Sequence, residues 1–275
     1  MTGTGSQMQP YKPENWEEFV EAIGTEGAYV SCPENAVWDM NEFMPAGLTS
    51  TIHVKANQIL GNNTTIKNLT FINSGYFNFN LSGTEIIRLN FLNIYTAIDS
   101  TQCFGNNGST VFRNCKFSGI ISHGSFLSGN YYSGFNFTND TGDNPKGCSF
   151  NFEFYGNGNM YTNTSSPPEV KFTNCNIHIS GKNNDDDIFN AALKNCLLSN
   201  CYISGKSPSS IGLTVSCKNN IYNVEVSDGK VFTDEISSNC EKTVINDSIV
   251  NDYTETFIFD RYLIKATEER MHDAE

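Results

Sequence analysis

The sequence predicts an all-β chain in which short strands stack as the coils of a single-stranded parallel β-helix, closed on its N-terminal side by a capping helix. Three observations carry this. Asparagine accounts for 36 of the 275 residues, and it recurs in one frame: apolar, any, Asn, apolar, any, apolar. The copies return at steps in the low twenties: Asn68 to Asn93 is 25 residues, Asn93 to Asn114 is 21, Asn174 to Asn195 is 21, and Asn200 to Asn223 is 23. The 60 residues from Asn114 to Asn174 hold room for further steps of that size. After each Asn, apolar residues alternate with polar ones at the period of a strand. A period in the low twenties belongs to stacked repeats, while the Asn, Gly and β-branched content opposes helical ones.

Taken in chain order, residues 1–12 are rich in Gly, Thr and Gln and read as a flexible arm. Residues 13–45 read as an N-terminal cap. Within it Trp16, Phe19, Val20 and Ile23 share one helical face, with Asn15 placed to cap, Glu18 three residues on, and Gly24 to stop the helix. Residues 46–253 read as the β-helix of roughly eight to ten coils, the coiled length divided by the period. Residues 254–275 read as a closing strand followed by a charged tail.

Within the coils, Asn68, Asn93, Asn114, Asn174, Asn195, Asn200 and Asn223 are expected at corners, forming a structural ladder. Asn tolerates the left-handed conformation a corner demands, and stacked amides can bond from coil to coil. Asn195 and Asn200 lie five apart and bracket the short strand Cys196 to Ser199, the spacing of two corners. The loop around Asn139 to Lys146 is expected to project from the body.

Composition narrows the function. The chain has 17 Lys+Arg against 30 Asp+Glu, a formal charge of −13. That surplus opposes a nucleic-acid binder, which needs a basic footprint. It reads as the solvated outside of a rod. No stretch approaches the apolar length of a membrane span. Residues 1–7 lack the basic and apolar regions of a secretory signal, so no such signal is expected. Nine cysteines without such a signal argue for buried free thiols, not a disulfide framework.

Taken with Asp39-Met-Asn41, the segment Ile59-Leu-Gly-Asn-Asn-Thr-Thr-Ile66 and the Asn-Cys corners, the chain resembles the right-handed parallel β-helices of the pectin-lyase-like superfamily over roughly residues 14 to 250. Its Asn- and Ser/Thr-rich texture is similar to β-helical proteins of bacteriophage particles. This resemblance implies a non-enzymatic structural or adhesion protein of a phage-like virion (tail, fibre or head decoration). It would be a homotrimer with other virion proteins, and possible glycan, as partners. The alternative it implies is a polysaccharide hydrolase or lyase of tailspike type.

The chemistry written in the chain is sparse. For the alternative, Asp186, Asp187 and His123 are the catalytic candidates, but the ordered motifs of polygalacturonase-type hydrolysis are missing, and Asp185 to Asp187 reads first as a solvated, charged turn. A zinc site from Cys175 and His178 is opposed by strand alternation, which sends the two side chains to opposite faces. No metal or cofactor is expected. In residues 120–165 the alternating Phe135, Phe137, Phe150, Phe152 and Phe154 read as an internal aromatic stack. Tyr131, Tyr132 and Tyr155 are candidates for a partner surface.

Overall fold

The computed structural model describes residues 1–43, 50–71, 77–106, 108–129, 134–139, 147–155, 158–162, 170–182, 196–207, 216–218, 220–226, 240–241, 243–245 and 248–251. Among them the strands form two sheets. The nine-stranded sheet runs Tyr29–Ser31, Gln58–Leu60, Glu85–Ile87, Ser109–Arg113, Gly134–Thr138, Val170–Thr173, Cys196–Ser199, Ser216–Lys218 and Cys240–Glu241, neighbour to neighbour. The main path of the fourteen-stranded sheet runs Val37–Asp39, Thr65–Lys67, Asn90–Asn106, Lys116–Gly129, Ser149–Tyr155, Asn176–Lys182, Tyr202–Ser207, Ile221–Val226, Thr243–Ile245 and Ser248–Asn251. Along the chain a strand of one sheet alternates with a strand of the other, and each pairs in parallel with its counterpart one turn later. This is a parallel β-solenoid. A side branch stacks Ser50–Val54 on Phe77–Leu81, then on the far halves of the two long strands, then on Asn159–Thr162.

In-register parallel pairing places like side chains directly above one another, about 4.8 Å apart. The interior is therefore a set of columns. One runs Ile59, Ile86, Phe112, Phe137, Phe172, Leu198. A second runs Trp38, Ile66, Phe91, Phe117, Phe150, Ile177, Ile203. Within each column the phenyl rings stack: Phe112–Phe137 at 4.9 Å and 13°, Phe137–Phe172 at 5.0 Å and 10°, Phe117–Phe150 at 5.0 Å and 10°. Between columns the rings meet edge to face, as Phe117 and Phe137 do at 90°. Both geometries suit the aromatic quadrupole. Phe135, Phe137, Phe150, Phe152 and Phe154 are all buried, so the aromatic run of residues 135–154 fills the inside of the coils.

The N-terminal end is covered by the helix Trp16–Gly24, which buries Trp16, Phe19, Ala22 and Ile23 against the first coil, with Phe19 and Trp38 rings 4.7 Å apart. Asn15 caps it, its side-chain oxygen accepting from the Glu18 amide at 2.9 Å. Its stop differs from the expected glycine: the C-cap is Thr25 in an extended conformation, whose hydroxyl donates to the Glu21 carbonyl at 3.0 Å. The segment 13–45 also contributes more than a cap, since Tyr29–Ser31 and Val37–Asp39 are the first strands of the two sheets.

Residues 1–12, expected to be a flexible arm, are instead hydrogen-bonded along the first edge. Thr2 and Lys12 pair antiparallel, and Tyr11 pairs parallel with Val30. The Tyr11 and Ser31 amides donate to Tyr29 and Tyr11 at 2.9 and 2.8 Å, and the Tyr29 amide donates to Gly5 at 2.8 Å. The reason is physical: the outer edge of Tyr29–Ser31 carries donors and acceptors that need partners, and this hairpin supplies them. At the far end, Thr243–Ile245 and Ser248–Asn251 pair antiparallel, again reversing the last strand. The closing strand and tail expected over residues 254–275 lie outside the described residues.

Candidate functional site

The chemistry-bearing side chains gather at two corners and on one sheet face. At the corner between the sheets, a left-handed residue follows the strand of the nine-stranded sheet: Arg88 (φ 53°), Asn114 (51°), Asn174 (56°) and Asn200 (55°). Asn139 holds the same place after Gly134–Thr138, and the Asn174 amide donates to its side-chain oxygen at 3.0 Å. The Asn114 and Asn174 backbone amides donate to Thr138 and Ser199 in the next coil, at 3.1 and 3.0 Å.

The next inward position is a column of donors. Cys115, Cys148, Cys175 and Cys201 lie directly before register-paired strand residues Lys116, Ser149, Asn176 and Tyr202. Each thiol sits near a carbonyl of the preceding coil: Ile86 at 3.5 Å, Phe112 at 3.4 Å, Phe137 at 3.5 Å and Phe172 at 3.3 Å. These carbonyls belong to successive members of one interior column. Asn220, fully buried, continues the series: its amide nitrogen donates to Leu198 O at 3.0 Å and its oxygen accepts from Cys201 N at 2.8 Å. Thr64 does similar work near the start, its hydroxyl donating to Pro33 O at 2.5 Å. All four cysteines are free and buried. Burial, reinforced by the adjoining thiols of Cys115 and Cys175, raises the Cys148 thiol well above its ordinary range, and burial does the same for Cys201. Such thiols are hydrogen-bond donors, not nucleophiles.

The second corner lies inside the fourteen-stranded sheet. Asn68 (φ 63°) and Asn93 (φ 55°) turn it in successive coils. Their side chains form a ladder: Asn93 donates to Asn68 at 3.3 Å, and Asn68 donates to the Asp39 carboxylate at 2.6 Å. That amide, together with Lys67 at 3.0 Å, holds Asp39 below the usual carboxylate range. The ladder ends where the Asn93 amide meets the Ser118 hydroxyl at 3.4 Å.

Five of the seven expected corner asparagines thus divide between the two corners: Asn114, Asn174 and Asn200 at the first, Asn68 and Asn93 at the second. Asn223 belongs to neither: it sits inside the strand Ile221–Val226, paired with Ser204, because the turn of that coil falls before Ile221, where Asn220 supplies the buried amide. Asn195 lies outside the described residues, as do Asp186, Asp187, Tyr131 and Tyr132. His123 is half-buried in the strand Lys116–Gly129, paired with Ala97, and its carbonyl accepts from the Thr96 hydroxyl at 2.7 Å. Cys175 lies at the corner directly before the strand Asn176–Lys182, which carries His178. Cys175 is buried in the corner column, while His178 is half-buried with its Nδ1 3.0 Å from the Ser204 hydroxyl. Burial lowers the His178 pKa.

On the outer face of the fourteen-stranded sheet, Tyr95, Ile120 and Glu153 follow one another in adjacent coils. Tyr95 is among the exposed large apolar residues, and the Tyr155 hydroxyl donates to the Glu153 carboxylate. On the other sheet Glu85 binds Arg113 at 2.6 Å and Gln58 at 2.5 Å across successive coils. Burial alone would raise the Glu85 pKa, but these two partners together hold it below the ordinary value. Sequence reading missed this cross-coil pair, Asn139, Cys148 and Asn220. The first needed register, and the last three depart from the Asn-Cys frame.

Fold and corners together define a parallel β-solenoid with an N-terminal helical cap. No protein family, curated protein or solved structure matches this chain. Among the described residues no helix is long and apolar enough to cross a membrane.

Proposed function

We propose that the chain is a rigid, non-catalytic structural and adhesion element of a phage-like particle, of pectin-lyase-like β-helix type, working with further copies of itself and other particle proteins. One observation carries the non-catalytic part. The sheet-face carboxylates whose surroundings are described are each tied to a structural partner: Asp39 to Asn68 and Lys67, Glu85 to Arg113 and Gln58, and Glu153 to Tyr155. Glycoside hydrolysis needs two carboxyls about 5–9.5 Å apart. In register, the backbone positions of Glu153 and Glu225 are three coils apart, through Ser180 and Lys206, which at about 4.8 Å per coil is roughly 14 Å. The stacked phenyl columns supply the stiffness such an element needs, and the Tyr95–Ile120–Glu153 row offers apolar and polar contacts of the kind a glycan takes. The Asn- and Ser/Thr-rich texture supports the particle.

The test is twofold. Mass spectrometry of purified particles from the source should find this chain, and its absence from them overturns the assignment. Incubation with a panel of bacterial surface polysaccharides should give binding without cleavage. Shortened glycans whose formation stops on Asp186→Ala and Asp187→Ala substitution would establish the cleaving alternative instead.

A further inference from the structure

At the N-terminal end of the solenoid the two sheets finish differently. Tyr29–Ser31, outermost in the nine-stranded sheet, is covered along its outer edge, where Tyr11 pairs with Val30 in parallel. Val37–Asp39 is outermost in the fourteen-stranded sheet, and among the described residues it pairs with Thr65–Lys67 alone. The Ala36 carbonyl accepts from the Thr65 amide at 2.8 Å, which fixes the direction of that ladder. Successive residues of a strand turn their N–H and C=O to opposite neighbours, so Trp38 faces Thr65–Lys67 while Val37 and Asp39 face outward. Among the described residues no backbone group is bonded to them on that side.

Two further features mark this edge as a surface that meets a partner. Val37 is 57% exposed, a strand-favouring apolar side chain left in water beside an open row of backbone groups. The capping helix does not serve as the missing neighbour. Its backbone is tied elsewhere, the Lys55 and Ala56 amides donating to the Ile23 carbonyl at 2.8 and 3.1 Å, and the Trp16 and Phe19 rings reach across to Trp38. The surrounding charge is of one sign. Residues 13–43 hold eight Asp+Glu and no Lys or Arg, with Glu34 exposed three residues before Val37 and Glu17 exposed beside Trp16. Such a field draws in a cationic segment and turns away an acidic one. A second copy brings the same acids with its own Val37–Asp39 edge, so pairing of two such edges is opposed.

We propose that the outer edge of Val37–Asp39 is a docking edge for another protein, which lays down a short extended segment rich in Lys or Arg as one more strand of the fourteen-stranded sheet. Main-chain hydrogen bonds to Val37 and Asp39 hold the segment, an apolar side chain covers Val37, and its cations answer the acids around the cap. This rests on the edge and its surroundings and stands whether or not the chain belongs to a particle.

The test uses the full chain and, as probe, a short peptide of alternating valine and lysine blocked at both ends. In the free chain, hydrogen exchange followed by NMR should show the Val37 and Asp39 amides exchanging about tenfold or more faster than the Trp38 amide. The peptide should slow those two amides in about 50 mM salt and bind more weakly in about 0.5 M, where screening shortens the reach of the acids. The same peptide N-methylated at alternate residues keeps its charge but cannot pair, and it should not bind; nor should a peptide of valine and glutamate. Val37→Lys should weaken binding about tenfold and, as a change at an exposed side chain, leave the denaturant midpoint in place. Slow exchange of Val37 and Asp39 in the free chain would show an edge already covered and overturn the proposal. Failure of the valine–lysine peptide to bind overturns it too, as does equal binding of the N-methylated form, which would reduce the contact to charge alone. Self-association of the free chain that Val37→Lys abolishes would give the edge to a second copy instead.

Discussion

At the corner between the two sheets a left-handed asparagine is followed at once by a buried thiol at Asn114–Cys115, Asn174–Cys175 and Asn200–Cys201, and Cys148 of the coil between joins the same column. At the corner inside the fourteen-stranded sheet the asparagines stop after Asn93, and the next coil turns through Ser118 and Gly119 with one residue fewer. The first corner must reverse the chain from one sheet into another, so every coil has inward carbonyls near the bend to satisfy. Thiols, an amide and a hydroxyl all serve. The second corner only bends a sheet that continues. Once the coils lengthen, a bulge replaces the turn, the next two coils run straight through at Phe152 and Ile179, and a positive-φ glycine returns at Gly205 (φ 125°). A corner keeps its asparagines where backbone groups would otherwise be left unpaired, and drops them where the ladder can heal itself.

Substitutions at four positions probe that difference. The largest effect is expected at Gly119, where φ is +152° and an added Cβ would lie 1.9 Å from Ile94 O. Gly119→Ala should cost on the order of 3 kcal/mol or more in denaturant unfolding, since neither the backbone angle nor the neighbouring strand can yield cheaply. A loss below about 1 kcal/mol would mean that the straightened corner is pliable. Next comes Asn220→Ala, which strands the Cys201 amide and the Leu198 carbonyl inside the coil. Each unsatisfied buried group costs about 1–3 kcal/mol, so a combined loss of roughly 2–4 kcal/mol is expected.

Cys148 separates the donor role from thiol chemistry. Cys148→Ser keeps the donor to Phe112 O and should stay within about 1 kcal/mol of the parent, while Cys148→Ala should lose more. In the folded parent Cys148 should resist alkylation until denaturant opens the coil; rapid labelling of it in buffer would contradict the protonated, enclosed thiol.

The smallest effect is a pH dependence confined to the second corner. The Asp39 pKa is lowered below 3.8 in the fold by Asn68 and Lys67. Its stabilisation is therefore present above the unfolded pKa and is lost as pH falls through the lower folded value. Asp39→Asn should flatten the decline in unfolding midpoint below about pH 4 and leave the midpoint's slope near neutrality unchanged. An acid limb identical to the parent's would show that the Asp39–Asn68 contact is energetically silent.

Much of the first corner was legible in advance. Asn114, Asn174 and Asn200 stand in a frame where apolar alternation restarts immediately after them, and left-handed tolerance at that point is a local property of asparagine. Arg88 carries no such mark, yet it adopts the same conformation because the coils above and below impose it. Asn139 was obscured by the insertion before Cys148. Asn223 satisfied the frame and still lies in a strand, because an apolar–Asn–apolar run is also an ordinary alternating strand. Only the pairing with Ser204 decides between the two.

The sequence by itself determined the all-β stacked architecture, the step of the coils, the helix that covers one end, and the inward direction of the phenylalanines and cysteines. Those features follow from periodicity and residue chemistry, which are local. Tertiary structure alone decided which asparagines share a ladder, which carbonyl each thiol meets, that Glu85 finds Arg113, and that the first dozen residues close an edge. Each of these depends on register between coils some 25 residues apart, and register is fixed by the whole stack settling at once, not by any single turn of it.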